Sequence, residues 1–160
     1  MKLTKPSFLN IVTSRLRGKS FLYEFYFKDK KTLDVGCGEG EFLRLNKNAI
    51  VGVDLNERTV KKLIEDGYVA KVGSATDLPF PDATFERVHC RNVIEHMAIP
   101  DAYKLLKEAG RVLESGGLLV LASEVVTKKF WDTFGHVKPY PPHAIIKLLR
   151  DESREEFEKL

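Results

Sequence analysis

LDVGCGEG, at residues 33–40, is the stretch that decides the fold class of this chain. It ends an apolar run in a turn with a glycine at every second position, and a second apolar run, IVGVD, stops on an acid at Asp54. Two such runs joined by a helix-like segment predict a βαβ unit with a nucleotide cradle at the carboxyl ends of its strands. The glycines would let the backbone approach a ligand closely, and Asp54 would accept hydrogen bonds from ribose hydroxyl groups.

The rest of the chain repeats this alternation of strand and helix. Helix-like spacing of apolar residues follows Glu39, resumes before Gly67 and begins again at Pro100. The predicted strands are 31–35, 50–54, 68–72, 85–90 and 118–122, with a turn-rich loop over 74–84 and a short helix over 144–150. Strands joined by helical crossovers predict an α/β fold, a Rossmann-like doubly wound and mostly parallel sheet.

Three segments are predicted along the chain. Residues 1–30 have aromatic and aliphatic positions at helix-like spacing, which indicates a helical N-terminal segment broken near Gly18. Residues 31–150 form the ligand-binding α/β domain, and residues 151–160 are a charged tail. Within the domain, residues 124–143 have no clear periodicity.

Asp34 indicates which ligand the glycine turn would bind. A dinucleotide-binding turn places a pyrophosphate at a helix N-terminus, whereas an acid two residues before the first glycine favours a cationic ligand. Asp34-x-Gly36-x-Gly38-x-Gly40 resembles the motif of class I S-adenosylmethionine (SAM) dependent methyltransferases. The resemblance covers about residues 30–150 and is closest to the small-molecule branch typified by the ubiquinone and menaquinone C-methyltransferases.

Three other segments carry the same resemblance, in the order and spacing of the family. They are the adenine-framing segment over 72–82, the start of the fourth strand over 85–88, and the helix and turn over 108–117. The resemblance implies a strand order of 3-2-1-4-5, with SAM bound at the switch point between the first and fourth strands.

The resemblance also implies roles for individual residues. Asp34 would lie near the cofactor's amino group, Asp54 would bind the ribose, and Leu55 would pack on an adenine face. Ser74 stands where the family often has an acid that accepts from the adenine amino group, so either Ser74 or Asp77 would take that role. The implied cofactor-binding residues are Asp34, Gly36, Cys37, Gly38, Asp54, Leu55, Ser74, Ala75, Asp77 and Asn92.

Catalysis of methyl transfer can depend largely on positioning, because the sulfonium methyl group is already activated. A base is needed only for a neutral hydroxyl or a carbon acid, and the candidates are His96, His136 and Tyr140. The last two belong to a segment that resembles one often lining the acceptor pocket in this family.

A metal ion is not expected. Some relatives, among them the small-RNA 2′-O-methyltransferases, hold a metal with Glu-x-x-Glu-His and a later histidine, for which His136 would be the candidate. Asn92 stands in place of the first glutamate, so Glu95 and His96 are interpreted as structural or as lining the substrate side. His89, inside a strand, is interpreted as a packed and hydrogen-bonded histidine.

The sheet is expected to be shortened at its C-terminal end. The family usually continues with a sixth strand and an antiparallel seventh, and no apolar run after 118–122 predicts either one. A minimal fold and a truncation both remain open. The edge beside the fifth strand would then be covered by the N-terminal segment or by a second subunit, which would make a homodimer.

Composition limits the compartment and the partners. A net charge of +3 does not by itself indicate nucleic-acid binding, although basic residues are concentrated in the first thirty positions. No apolar stretch has the length of a membrane span, and no signal-peptide pattern is present. Two scattered cysteines, Cys37 and Cys90, predict neither a zinc site nor a disulfide framework, which favours a reduced, cytoplasmic setting.

The acceptor is expected to be a small molecule, because no appended domain offers a large docking surface. An RNA or protein methyltransferase that uses the basic N-terminus is the first alternative. A non-catalytic SAM-binding protein is the second, and a nicotinamide-dependent oxidoreductase fits the position of Asp34 poorly.

Overall fold

A computed structural model describes residues 8–11, 19–124 and 127–150 of the chain. The strands are β1 (Phe8–Ile11), β2 (Thr32–Val35), β3 (Ile50–Asp54), β4 (Ala70–Val72), β5 (Phe85–Arg91) and β6 (Leu113–Ala122). The helices are α1 (Lys19–Tyr26), α2 (Glu57–Glu65), α3 (Ile99–Val112), α4 (Lys128–Trp131) and α5 (Pro142–Arg150). The predicted charged tail, 151–160, lies outside the described residues.

The strands form one parallel sheet in the order β1-β6-β5-β2-β3-β4. The predicted order of five strands is therefore confirmed, with β2 and β5 as the neighbours at the switch point. β1 is a sixth strand, which pairs with residues 118–121 of β6. Residues Phe8–Ile11 of the N-terminal segment thus cover the outer edge of β6.

The prediction of a wholly helical N-terminal segment is wrong at Phe8–Ile11, which is a strand, and correct for Lys19–Tyr26, which is a helix. A run of four residues is too short for apolar spacing to separate a strand from a helix. The free N–H and C=O groups along β6 favour the strand, because pairing satisfies them.

Both faces of the sheet are covered, as the doubly wound prediction requires. On one face, Leu105, Ala109 and Val112 of α3 are buried together with strand residues such as Val88. On the other, Phe27 after α1, Phe42 and Val60 of α2 form a second buried cluster. The central strands are apolar on both faces because each face is packed against other elements.

The connection from β2 to β3 corrects one prediction. Instead of a helix that begins at Glu39, residues 36–49 form turns around a single 3₁₀ turn at Leu43–Leu45. Asn46 ends this turn in an extended conformation, and its side chain accepts a hydrogen bond from the backbone N–H of Asn48. Phe42 and Leu43 are buried as the apolar spacing predicted, so that pattern identified the buried residues although no α-helix forms.

The other crossovers agree with the prediction. Asn56 caps α2 by accepting from the backbone N–H of Thr59, and Pro100 lies in the first turn of α3. Between β4 and β5, residues 73–84 form a loop without a helix. Among the described residues, none of the helices combines the length and the apolar character that crossing a membrane requires.

Arg111 at the end of α3 fastens the loop 73–84 to the domain. Its guanidinium donates to the backbone oxygens of Leu78 and Phe80 at 3.0 and 2.8 Å, and to Glu108 at 2.7 Å. Glu108 in turn accepts from the backbone N–H of Leu78 at 2.7 Å. The neighbouring guanidinium lowers the pKa of the Glu108 carboxyl. Side chains of α3 thus fix the loop that follows β4.

Replacing Arg111 with alanine is expected to lower the free energy of unfolding at pH 7 by about 2–4 kcal/mol, because it leaves two backbone carbonyls without donors and a partly buried carboxylate without its cation. Lys104→Ala on the same helix is the control, because that ammonium is exposed and lies 3.8 Å from Asp101. It should cost about 0.5 kcal/mol or less. Urea unfolding of both variants measures the difference, and equal losses would contradict the assigned role of Arg111.

The same comparison has a predicted pH dependence. The pKa of Glu108 is lowered in the folded state, so its carboxylate stabilises the fold above the ordinary glutamate pKa of about 4.3. That contribution is lost as the pH falls through the lowered folded-state pKa. The difference in free energy of unfolding between wild type and Arg111→Ala should therefore be largest near neutral pH and smaller in acid. Urea unfolding at several pH values measures it.

Candidate functional site

The glycine turn lies between β2 and the end of β3. The backbone N–H groups of Gly36 and Cys37 both donate to the carbonyl of Val53, at 2.9 and 3.1 Å. Gly38 has a φ of +48°, and a Cβ added to it would have no atom within 4 Å. The backbone at Gly38 therefore faces open space, which suits the close approach of a ligand.

Asp54, the last residue of β3, is already oriented by the backbone. Its Oδ2 accepts from the N–H of Gly38 at 2.9 Å, and its Oδ1 accepts from the N–H of Asn56 at 2.9 Å. Each carboxylate oxygen can accept further bonds, so the side chain can still receive two hydroxyl donors. Leu55 follows with 72% of its surface exposed and offers an apolar contact beside this carboxylate.

Asp34 and His89 form a buried pair where β2 and β5 lie side by side. His89 Nδ1 and Asp34 Oδ1 are 2.6 Å apart, and each residue is 3% exposed. The imidazole also stacks on the ring of Phe42, with centroids 3.9 Å apart. His89 is thus a packed, hydrogen-bonded residue, as its position within a strand predicted.

A cavity of about 230 Å³ opens beside this pair at the switch point of the sheet. It is lined by Asp34, Gly36, Cys37, Glu41, Phe42, His89, Arg91 and Asn92. Four of these are predicted cofactor residues, and the other four, Glu41, Phe42, His89 and Arg91, were not predicted to line a site. A sequence signal existed for Arg91, which directly precedes Asn92 at the end of its strand, whereas Glu41 and Phe42 lie in the connection that was read as a helix.

Asn92 has a left-handed backbone conformation, with a φ of +55°. Asparagine tolerates this region better than most residues, and the backbone N–H of Asn92 donates to Ala122 at 2.9 Å. The exposed side chain is thereby held at the carboxyl end of β5, where it lines the cavity.

The three predicted adenine-side residues follow β4, next to Asp54. Ser74 Oγ lies 2.8 Å from Thr76 Oγ1 and accepts from the backbone N–H of Thr76, so this hydroxyl closes its own turn. Asp77 is exposed, and its N–H donates to the Ser74 carbonyl at 3.1 Å. Ala75 is buried beneath them. Asp77 therefore has the more accessible acceptor group.

Two of the three predicted catalytic candidates lie together. The rings of His96 and His136 have centroids 5.0 Å apart. Each ring is hydrogen-bonded through Nδ1 to a backbone carbonyl at 2.8 Å. His96 contacts the carbonyl of Gly135, and His136 contacts that of Phe130. Since a carbonyl only accepts, both Nδ1 atoms are protonated and both Nε2 atoms can accept.

The third candidate, Tyr140, lies in a different place. Its hydroxyl donates to the carbonyl of Met97 at 2.9 Å, and it lines a separate, mainly apolar cavity of about 140 Å³ between α3 and α5. Burial raises the pKa of Tyr140 above its ordinary value of about 10. The hydroxyl is thus neutral at pH 7 and its proton is engaged.

The cysteines do not offer a nucleophile. Cys37 is buried in the glycine turn, and burial, with Asp34 and Asp54 nearby, raises the pKa of its thiol to about 12. Burial also raises the pKa of Cys90. Neither thiol is ionised near neutral pH, so Cys37 can contribute only its backbone and its bulk to the site.

Comparison with known proteins places the glycine turn and the sheet in one family. Residues 33–121, more than half of the chain, match the family described as "Methyltransferase domain". The chain is 32% identical over 103 residues to 27-O-demethylrifamycin SV methyltransferase of Amycolatopsis mediterranei, covering 57% of this chain and 37% of that protein. It is 33% identical over 112 residues to ajmaline N-methyltransferase of Rauvolfia serpentina, covering 61% and 37%.

Solved structures agree with this relationship. A SAM-dependent methyltransferase from Archaeoglobus fulgidus superposes with a TM-score of 0.70 at 27% identity, covering 87% of this chain and 66% of that one. The chain spans less than half the length of the curated relatives described above. The matched residues contain the glycine turn, Asp54 and all but the first and last residues of the β2–β6 sheet, and the chain therefore belongs to the class I SAM-dependent methyltransferase family.

Proposed function

We propose that this protein binds SAM at the carboxyl ends of β2, β3 and β5 and transfers its methyl group to a small-molecule acceptor. The observation that carries the proposal is the pairing of Asp54 with the open backbone at Gly38. It supplies an oriented carboxylate and an unobstructed surface side by side, which a ribose diol requires. The relatives named for rifamycin and ajmaline substrates support a small acceptor.

The proposed cofactor contacts follow the geometry of each residue. Asp54 accepts from the ribose hydroxyls, and Leu55 packs on the adenine ring. Asp77 takes the adenine amino group in preference to Ser74, whose hydroxyl is engaged with Thr76. Asp34 faces the cavity and supplies negative charge for the amino acid end, with Asn92 as a polar neighbour.

Bound SAM supplies an electrophilic methyl group, so the protein's main task is to hold the acceptor in line. The accepting Nε2 atoms of His96 and His136 offer a place for a proton when the acceptor is a neutral hydroxyl. Tyr140 is a poorer candidate for this role because its hydroxyl already donates to Met97.

Two of the lysines that precede β2 are already engaged with carboxylates, which favours a small acceptor over nucleic acid. Lys28 pairs with Glu24 and Lys30 pairs with Glu86, each at 2.9 Å. Phosphate binding would require these ammonium groups to be available. The buried free thiols of Cys37 and Cys90 suit a reducing compartment, and we propose the cytoplasm.

Calorimetric titration tests the cofactor directly. We expect the chain to bind SAM and S-adenosylhomocysteine with micromolar affinity and not to bind NAD, because an acidic site disfavours a pyrophosphate. Binding without turnover on a panel of small acceptors would favour the non-catalytic alternative. Failure to bind either adenosyl ligand would overturn the proposal.

Asp54→Ala is expected to weaken SAM binding about tenfold or more, because it removes charge-assisted hydrogen bonds to the ribose. The exposed Asp66, which follows α2, provides the control variant Asp66→Ala with the same change in charge. Thermal unfolding checks that both variants fold. Equal SAM affinity in the two variants would remove Asp54 from the site.

Gly38→Ala separates ligand contact from backbone strain. Gly67 is the matched control, because it also has a positive φ, +83°, and open space around an added Cβ. Both substitutions put a Cβ on a left-handed backbone and should cost about 1–2 kcal/mol of stability. Only Gly38→Ala should also reduce SAM affinity, since its methyl group projects into the proposed ligand space. An equal loss of SAM affinity in both variants, measured by calorimetry, would contradict this assignment.

A further inference from the structure

Glu95, His96 and His136 are brought together by two segments far apart in sequence. The turn Ile94–His96 follows β5, and the segment after α4 is fastened to it by the backbone N–H of Val137, which donates to the Glu95 carbonyl at 2.8 Å. One side-chain oxygen or nitrogen from each of the three residues lies within 4.8 Å of the other two. This spacing is close enough for one ion to contact all three groups.

Both histidines make the outer hydrogen bond that metal-ligating histidines usually make. Each donates its Nδ1 proton to a backbone carbonyl at 2.8 Å, which leaves the Nε2 lone pair available. Such outer hydrogen bonds fix the tautomer and the ring orientation before an ion binds. The ring of His136 also packs against the fully buried ring of Phe130, with the two centroids 4.4 Å apart, and this contact holds it in place.

Glu95 supplies an independent observation. The residue is 0% exposed, and its Oε2 has no hydrogen-bond partner among the described residues. Its other oxygen accepts only a long bond, 3.4 Å, from the backbone N–H of Glu124. In the described part of the chain, no lysine or arginine pairs with it. A buried carboxylate with one oxygen unpaired, one long hydrogen bond and no cation beside it is strongly unfavourable, so this position calls for positive charge.

We propose that these three residues bind one divalent transition-metal cation. Two imidazole nitrogens and one carboxylate oxygen suit Zn²⁺, Fe²⁺ or Co²⁺ better than Mg²⁺ or Ca²⁺, which prefer oxygen ligands. His96 is exposed, so the remaining coordination positions face solvent. An acceptor oxygen could occupy one of these open positions, and this part of the inference rests on the proposed function. Metal binding itself does not rest on it.

This proposal differs from the expectation drawn from the sequence. Asn92 in place of an acid argued against a metal, since a fourth protein ligand was missing. The structure instead brings Glu95, His96 and His136 together as a set of three donors. Three protein ligands with one or more open positions are sufficient for a catalytic type of metal site.

Titration of the full chain with zinc chloride, after removal of metals with a chelator, tests the site without SAM. We expect one Zn²⁺ per chain, a rise in melting temperature and, with Co²⁺, visible absorption bands. His136→Ala and Glu95→Gln should each weaken binding about tenfold or more. The control is His143→Ala, an exposed histidine on α5 that lies outside the group of three.

His136→Ala and His96→Ala keep the test decisive if the buried Glu95→Gln variant fails to fold, because neither histidine is fully buried. Unchanged Zn²⁺ affinity in both histidine variants would overturn the proposal. So would a loss of Zn²⁺ affinity in His143→Ala as large as the losses in His96→Ala and His136→Ala. A separate titration of the metal-free chain with SAM reports on the cofactor site. If the chain binds SAM but not Zn²⁺, the metal proposal fails and the proposed function stands. If it binds Zn²⁺ but not SAM, the proposed function fails and the metal proposal stands.

Discussion

The contact between the Asp54 carboxylate and the Gly38 backbone is the interaction on which the site depends. It joins the end of β3 to the turn that leaves β2, and a second bond from Asn56 fixes the other carboxylate oxygen. Without this fastening the glycine turn would be held mainly by two bonds to Val53. One acid thus shapes the turn and presents its remaining acceptor capacity to a ligand, so the site is formed before any ligand binds.

Most of the sheet could be predicted, because buried parallel strands are apolar on both faces and leave a strong local signal. The crossovers were less predictable. Phe42 and Leu43 have helical spacing and are buried, yet they belong to turns and a 3₁₀ turn. Apolar spacing reports which residues face the core, but it does not determine the backbone conformation. Here the connection between β2 and β3 is 14 residues long, and its 3₁₀ turn ends at Asn46. Phe8–Ile11 shows the same limit, since β6 some hundred residues later determines its pairing.

The site divides in a similar way. Residues in the glycine turn and at the ends of strands could be placed from sequence because the fold fixes where strand ends lie. Glu108 and Arg111, which fasten the loop 73–84, gave no such signal, because their partners are backbone groups some thirty residues earlier: an N–H for Glu108 and two carbonyls for Arg111. Glu95 is joined to the segment beside His136 by backbone bonds from Val137 and Lys138, about forty residues later in the chain. Local patterns do not encode contacts of that kind.

These two kinds of contact have different consequences for function. The cofactor side is built on strand ends, whose positions are tied to the packed core, so its geometry changes little without loss of stability. The proposed acceptor side is built from the turn after β5 and the segment around His136, held by a few backbone bonds and one aromatic contact. Substitutions there can alter the acceptor pocket while the sheet remains intact. A metal ion held by Glu95, His96 and His136 would oppose this freedom, because it would tie both segments at fixed distances and stabilise one arrangement of the acceptor side.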